Sequence, residues 1–123
     1  MHKVLIVEDE DILRKAYVNV FTMEKFQVSE AENGEAALVQ IEKVRPDIVI
    51  LDILMPIMNG IEFLEKVSLL KRYPKTKVLV LSNLSDKDTV DQVISLGASK
   101  HLVKSSLSPS QLVQTVRSLL NGA

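Results

Sequence analysis

Residues 47 to 60 read DIVILDILMPIMNG, and one carboxylate, Asp52, stands in the middle of this apolar run, where burial without a partner is costly. Two more acids, Glu8 and Asp9, close the apolar stretch KVLIV, a hydroxyl, Ser82, closes KVLVLS, and an ammonium, Lys104, follows HLV. Three carboxylates brought into one crevice cannot all stay ionised without a cation or a proton. A hard divalent ion resolves this, and Mg²⁺, with Mn²⁺ as a substitute, suits a site of few carboxylates and several waters. The mixture fits phosphoryl transfer onto a carboxylate. Asp52 would be the nucleophile and give an aspartyl phosphate, while Ser82 and Lys104 would each meet an equatorial oxygen of the loose transition state. An ionised carboxylate needs no general base. Read singly, Ser82 is a turn residue and Lys104 a solvated lysine, and Glu10 and Asp11 are acids favoured at a helix N-terminus. What gives the set weight is that Glu8, Asp9, Asp52, Ser82 and Lys104, read independently, fall at the same edge of the sheet that the apolar runs would form, in a sensible chemical mixture.

The elements that would position these residues follow from periodicity. Short apolar runs recur at KVLIV, FQVSEA, DIVIL, KVLVLS and HLV, with helically spaced segments between them. The pattern is βα five times over. KVLIV, DIVIL and KVLVL are apolar throughout, as strands buried on both faces of a parallel sheet should be, whereas FQVSEA is polar at alternate positions and reads as an edge strand. Asn33-Gly34 opens the helix EAALVQIEKV and Pro46 stops it; Gly97 caps DTVDQVISL; Ser108-Pro109-Ser110-Gln111 combines a capping box with a first-turn proline, and the last helix runs through LVQTVRSLL to Asn121-Gly122. Alternating βα units with right-handed crossovers imply an α/β fold, a doubly wound, five-stranded parallel sheet of order 2-1-3-4-5, flavodoxin-like (βα)5, with its site at the strand carboxyl ends near the switch between strands 1 and 3. Glu8, Asp9, Asp52, Ser82 and Lys104 all fall at that edge.

Composition narrows the function further. A chain of 123 residues, 46% hydrophobic, is expected to form one domain. With 15 Lys and Arg against 16 Asp and Glu, the net charge of −1 gives no reason to expect nucleic acid as a partner. The absence of cysteine excludes disulfides and thiolate metal sites. The N-terminus MHKVLIVEDE turns acidic before a signal-peptide core could form, and no apolar stretch approaches the roughly 20 residues that span a bilayer, so a cytoplasmic, membrane-free protein is expected.

VLIVEDE, LDILMPIMNG, VLVLS and HLVK, in that order, resemble the receiver domain of bacterial two-component response regulators, the CheY-like phosphoacceptors, and the likeness covers residues 1–123. The resemblance implies a signalling domain and not an enzyme in the usual sense, taking its phosphoryl group from a sensor histidine kinase or phosphotransfer protein and losing it slowly. It implies Asp52 as phosphoacceptor, Asp9 as a direct Mg²⁺ ligand, Glu8 reaching the metal through water, and the backbone carbonyl of Leu54 as the remaining protein ligand. Ser82 matches the hydroxyl that moves toward the phosphoryl group, Lys104 the lysine of the motif, and Pro56 and Gly60 the loop and helix start beyond the phosphoacceptor. Phosphorylation would repack the face of helix 4, strand 5 and helix 5 and signal there to a partner or output domain, as a monomer or a phosphorylation-dependent dimer.

Four residues or pairs depart from the pattern. Ser105 replaces the usual Pro after the lysine, where a cis bond is typical and would cost a non-proline about 2.5–4 kcal/mol. Asn83 replaces a small residue after the hydroxyl, His101 stands at the switching aromatic, and Ser99-Lys100 replaces the acidic pair frequent in the DNA-binding branch. His101 precedes Lys104 by three residues, an odd spacing that predicts opposite faces of a regular strand. Leu54 and Leu84 flank the phosphoryl position with side chains that cannot orient an attacking water. Among rivals, a haloacid-dehalogenase-like phosphatase lacks its DxD signature around Asp52, a flavodoxin would need a phosphate loop where Glu8-Asp9-Glu10-Asp11 stands, and four glycines give no dinucleotide fingerprint. A phosphorylation-independent pseudo-receiver, acting as a protein-binding module, is the alternative if Asn83 or Ser105 disables the site.

Overall fold

The apolar runs become five parallel strands in a computed structural model that describes residues 1–121. These are β1 (Lys3–Val7), β2 (Gln27–Ala31), β3 (Ile48–Leu51), β4 (Lys77–Ser82) and β5 (Lys100–Val103), in the order β2-β1-β3-β4-β5. The central strands are apolar throughout because the sheet has a core on each face. Leu5, Val7, Val49, Leu51, Val78 and Val80 point to one face, and Val4, Ile6, Ile48, Ile50, Leu79 and Leu81 to the other. β2 lies at an edge and pairs only with β1, which is why Gln27 stays exposed and Ser29 and Glu30 half-buried.

Helices cover both faces. α1 (Asp11–Met23) and α5 (Pro109–Leu120) bring Tyr17, Phe21, Leu112 and Val116 to one core. α2 (Gly34–Val44), α3 (Gly60–Val67) and α4 (Lys87–Ser95) bring Ala37, Ile41, Phe63, Leu64 and Val93 to the other. The expected starts at Asn33 and Ser108 are present. Asn33 accepts a hydrogen bond from the Ala36 amide, and Ser108 and Gln111 form a reciprocal capping box with Pro109 in the first turn. Gly97, just past α4, has φ of 108° and donates its amide to the Ile94 carbonyl, so its left-handed backbone ends that helix. α5 ends at Leu120 with Asn121 as C-cap, and Gly122 lies outside the described residues.

The third crossover departs from a simple βα repeat. α3 stops at Ser68, whose φ of 52° is left-handed, and a single helical turn, Leu69–Arg72, follows. The break tucks Leu69 and Tyr73 into the core, 2% and 4% exposed, and leaves Leu70 in solvent. α3 itself begins with a second capping box, Asn59 with Glu62, for which the sequence reading had only Gly60 as a marker. No helix among the described residues is long and apolar enough to cross a membrane.

Candidate functional site

Glu8 and Asp52 each stand one residue beyond a strand, yet both remain tied to the sheet. The Glu8 amide donates to the Ala31 carbonyl and the Asp52 amide to the Val7 carbonyl, each at 3.1 Å. The hydrogen-bond ladder therefore carries both acids past the strand ends into positions only 2% and 6% exposed. Asp9, between β1 and α1, is half-buried. One carboxylate oxygen from each of Glu8, Asp9 and Asp52 lies within 4.8 Å of the others. An all-oxygen, anionic donor set of that size fits a hard divalent cation.

Lys104 reaches into this cluster. Its Nζ lies 2.6 Å from Glu8 Oε1, donates to Asp52 Oδ2 at 3.0 Å, and sits 3.7 Å from Glu10 Oε1. Glu8 Oε2 accepts the Glu10 amide, and Asp52 Oδ1 accepts the Ile53 amide. Burial pushes the Glu8 and Asp52 carboxyls above their ordinary values, and the hydrogen bonds from Lys104 only partly offset it, because two carboxylates share one ammonium. Burial would lower Lys104, but its hydrogen bonds to Glu8 and Asp52 outweigh that and hold it well above the usual lysine range. Lys104 is therefore a fixed cation.

Lys104 does not sit on strand 5. β5 ends at Val103, and Lys104–Ser106 forms a 3₁₀ turn. The alternation argued from a regular strand therefore does not extend from His101 to Lys104; the turn aims the lysine at the carboxylates instead. His101 is half-buried, and its Nε2 lies 2.8 Å from the Leu84 carbonyl, an acceptor, so Nε2 carries the proton in this bond. Ser82, 1% exposed, accepts the Leu84 amide on its Oγ at 3.1 Å. Both residues expected to switch thus grip the backbone of one residue, Leu84, and no hydrogen bond links Ser82 to the carboxylates among the described residues. Leu54 is 63% exposed in the β3–α3 loop.

Two departures prove to be partners. The Ser105 amide donates to Asn83 Oδ1 at 3.0 Å, tying the loop after β4 to the turn after β5. A proline at 105 has no N–H and could not make this bond. No peptide bond in the described residues is cis, so Lys104–Ser105 is trans. The side chain of Asn83 is exposed.

Arg14 escaped the sequence reading. It lies 8% exposed on the buried stripe of α1 with Tyr17 and Phe21, and it donates to the Glu8 carbonyl at 2.9 Å, to Glu30 Oε1 at 2.8 Å and to Asp11 Oδ1 at 2.6 Å. The signal was an arginine at i, i+3, i+7 spacing with two aromatics. Its guanidinium is satisfied on three sides and fixes the acidic loop that carries Glu8 and Asp9.

A family model described as response regulator receiver domain matches residues 4–117. The transcriptional regulatory protein DegU of Brevibacillus brevis is 35% identical over 122 residues, which cover 98% of this chain and 50% of DegU. The chemotaxis protein CheY of Thermotoga maritima is 34% identical over 115 residues, covering 93% of each chain. A solved CheX–CheY–BeF3–Mg complex from Borrelia burgdorferi superposes with a TM-score of 0.84 at 31% identity, over 96% of this chain and 88% of the matched one. The chain spans about half the length of the transcriptional regulators it matches.

Proposed function

The chain belongs to the family of response regulator receiver domains, and on that premise we propose that it is a two-component phosphoacceptor whose nucleophile is Asp52. The observation that carries this reading is Lys104 Nζ set between Asp52 Oδ2 and Glu8 Oε1 at the point where three carboxylates meet. The donor is a sensor histidine kinase or a phosphotransfer protein. Asp52 Oδ attacks phosphorus, the bond from phosphorus to the donor breaks, and its electron pair leaves with the donor nitrogen. Lys104, already protonated, keeps its proton and turns from Asp52 toward a phosphoryl oxygen.

Mg²⁺ would be held by Asp9, Asp52 and the Leu54 carbonyl, with Glu8 acting through water, and would neutralise the charge that develops on the phosphoryl oxygens. Ser82 hydroxyl offers a hydrogen bond to the phosphoryl group. Moving there withdraws its acceptor from the Leu84 amide, the residue whose carbonyl His101 holds. A change at Asp52 would thereby reach the loop before α4 and strand β5 through two hydrogen bonds to the backbone of Leu84, biasing the face that signals to a partner or output domain. The Borrelia burgdorferi CheX–CheY complex contains BeF3 and Mg²⁺, and the present chain is expected to take a phosphoryl group and Mg²⁺ together at Asp52.

A phosphorylation-independent binding module would need Asn83 or Ser105 to disable the site. Their mutual bond occupies both at the rim and leaves the carboxylates to Lys104. Calorimetric titration with Mg²⁺ tests the proposal. Binding is expected in the wild type and a loss of about tenfold or more in Asp9→Asn and Asp52→Asn; undiminished binding in both variants would place the metal elsewhere.

A further inference from the structure

The opposite edge of the sheet carries the reverse charge. Each strand begins with a cation at or within three residues of its first position: Lys3, Lys25, Arg45, Lys77 and Lys100. The acids Glu8, Asp9 and Asp52 leave the other edge. A net charge near zero therefore conceals two poles.

A cavity of about 340 Å³ opens in the basic pole, between the loop before β3 and the loop before β4. Such a volume falls at the lower end of small-molecule sites. Its walls include Arg45, Arg72, Tyr73 and Lys75. The guanidinium carbons of both arginines lie over the Tyr73 ring, 5.0 and 5.4 Å from its centroid, and Tyr73 is buried. Cation–π contact holds both guanidinium groups beside the ring. Among the described residues, neither arginine nor Lys75 has a carboxylate within 4.0 Å. The one acid in the wall, Asp47, is already engaged. Its Oδ2 accepts the Lys3 amide at 2.7 Å and lies 3.8 Å from His2 Nδ1. The two loops are braced by Thr76 Oγ1, which donates to the Pro46 carbonyl at 2.8 Å, and by the Lys77 amide on the Asp47 carbonyl. Arg45 itself caps α2 with a left-handed backbone, φ 52°, which turns it out of the helix and into the cavity wall.

We infer that this cavity binds a small phosphate ester, with Arg45 and Arg72 as a paired clamp on the phosphate and Lys75 as a third cation. Three unpaired cations, two of them held in place by an aromatic ring, favour a dianionic tetrahedral group over a single carboxylate. The site lies at the end of the sheet away from Asp52, so it stands or falls independently of the phosphoacceptor reading.

The test is a backbone-amide NMR titration of the full chain in excess EDTA, which keeps metal-bound nucleotide out of the acidic pole. The probes are inorganic phosphate, AMP, ATP and adenosine. Saturable shifts are expected at Asp47, Tyr73 and Thr76 with AMP and ATP, weaker ones with phosphate, and none with adenosine. Arg45→Gln and Arg72→Gln should each weaken AMP binding by roughly tenfold, the loss of a hydrogen bond to a charged group, and Lys25→Gln, outside the cavity, should not. If one arginine variant fails to fold, Lys75→Gln carries the same expectation. Equal response to adenosine and AMP would overturn the proposal, as would no saturable shift at millimolar nucleotide. Binding of duplex DNA without any response to AMP or ATP would also overturn it, and would make the basic pole a polyanion surface.

Discussion

Asp52 shares a single ammonium with Glu8, and both carboxylates are buried, so its charge is an unfavourable feature of the metal-free fold. Its carboxyl is raised by burial above the ordinary value of 3.8. A raised group binds its proton more tightly in the folded chain, so the stability it contributes is complete below the unfolded value and is lost as pH rises through the folded one. Asp52→Asn removes that cost. Without metal at neutral pH, the variant should be more stable than the wild type in urea unfolding by on the order of 1 kcal/mol. The difference should close as pH falls toward the ordinary Asp range; a wild type more stable at neutral pH would contradict it. Leu54 and Leu84 belong to the same scale. They offer no hydrogen bond to a hydrolytic water, and replacing both with Asn should shorten the lifetime of the phosphorylated form severalfold, as followed by phosphate release. An unchanged or longer lifetime would count against their role.

At the scale of elements, the loop from β3 into α3 controls where Asp52 sits. Gly60 opens α3 against the strand end, its amide donating to the Ile53 carbonyl at 2.9 Å. A Cβ there would lie 2.3 Å from the Asp52 carbonyl oxygen and 3.0 Å from Ile53 Cα, both backbone atoms. Gly60→Ala should therefore cost about 1–3 kcal/mol and weaken Mg²⁺ binding severalfold through the displaced strand end. A variant with wild-type stability and metal affinity would show that the loop can move aside. Here the sequence was informative only in part. The five strands, their order and the edge position of β2 were legible because two-sided burial writes an unbroken apolar run and one-sided exposure writes alternation. The break at Ser68 was not, because a left-handed serine leaves no compositional mark. The 3₁₀ turn holding Lys104 was hidden for the same reason, since HLVK reads as a strand whether or not its last residue leaves the ladder. Nor was the Asn83–Ser105 bond legible, because residues 22 positions apart meet only once β4 and β5 are paired.

On the scale of the whole molecule, a parallel sheet gathers strand exits at one edge and strand starts at the other. In this chain that geometry separates charge, carboxylates and Lys104 at the exits and cations at the starts. The candidate site was legible because its residues close or follow the predicted strands and so fall at one edge of the sheet. Arg14, which fixes the acidic loop from within α1, was less so, because an arginine on a helix is usually a solvated one. The central claim is that the exits converge on one phosphoacceptor. It is tested most directly by incubating the protein with acetyl phosphate and Mg²⁺ and locating the modification by intact and peptide mass spectrometry. One alkali-labile phosphoryl group should be added at Asp52, dependent on Mg²⁺ and absent in Asp52→Asn. Label that persists in Asp52→Asn, or an alkali-stable phosphate on Ser82, would contradict it.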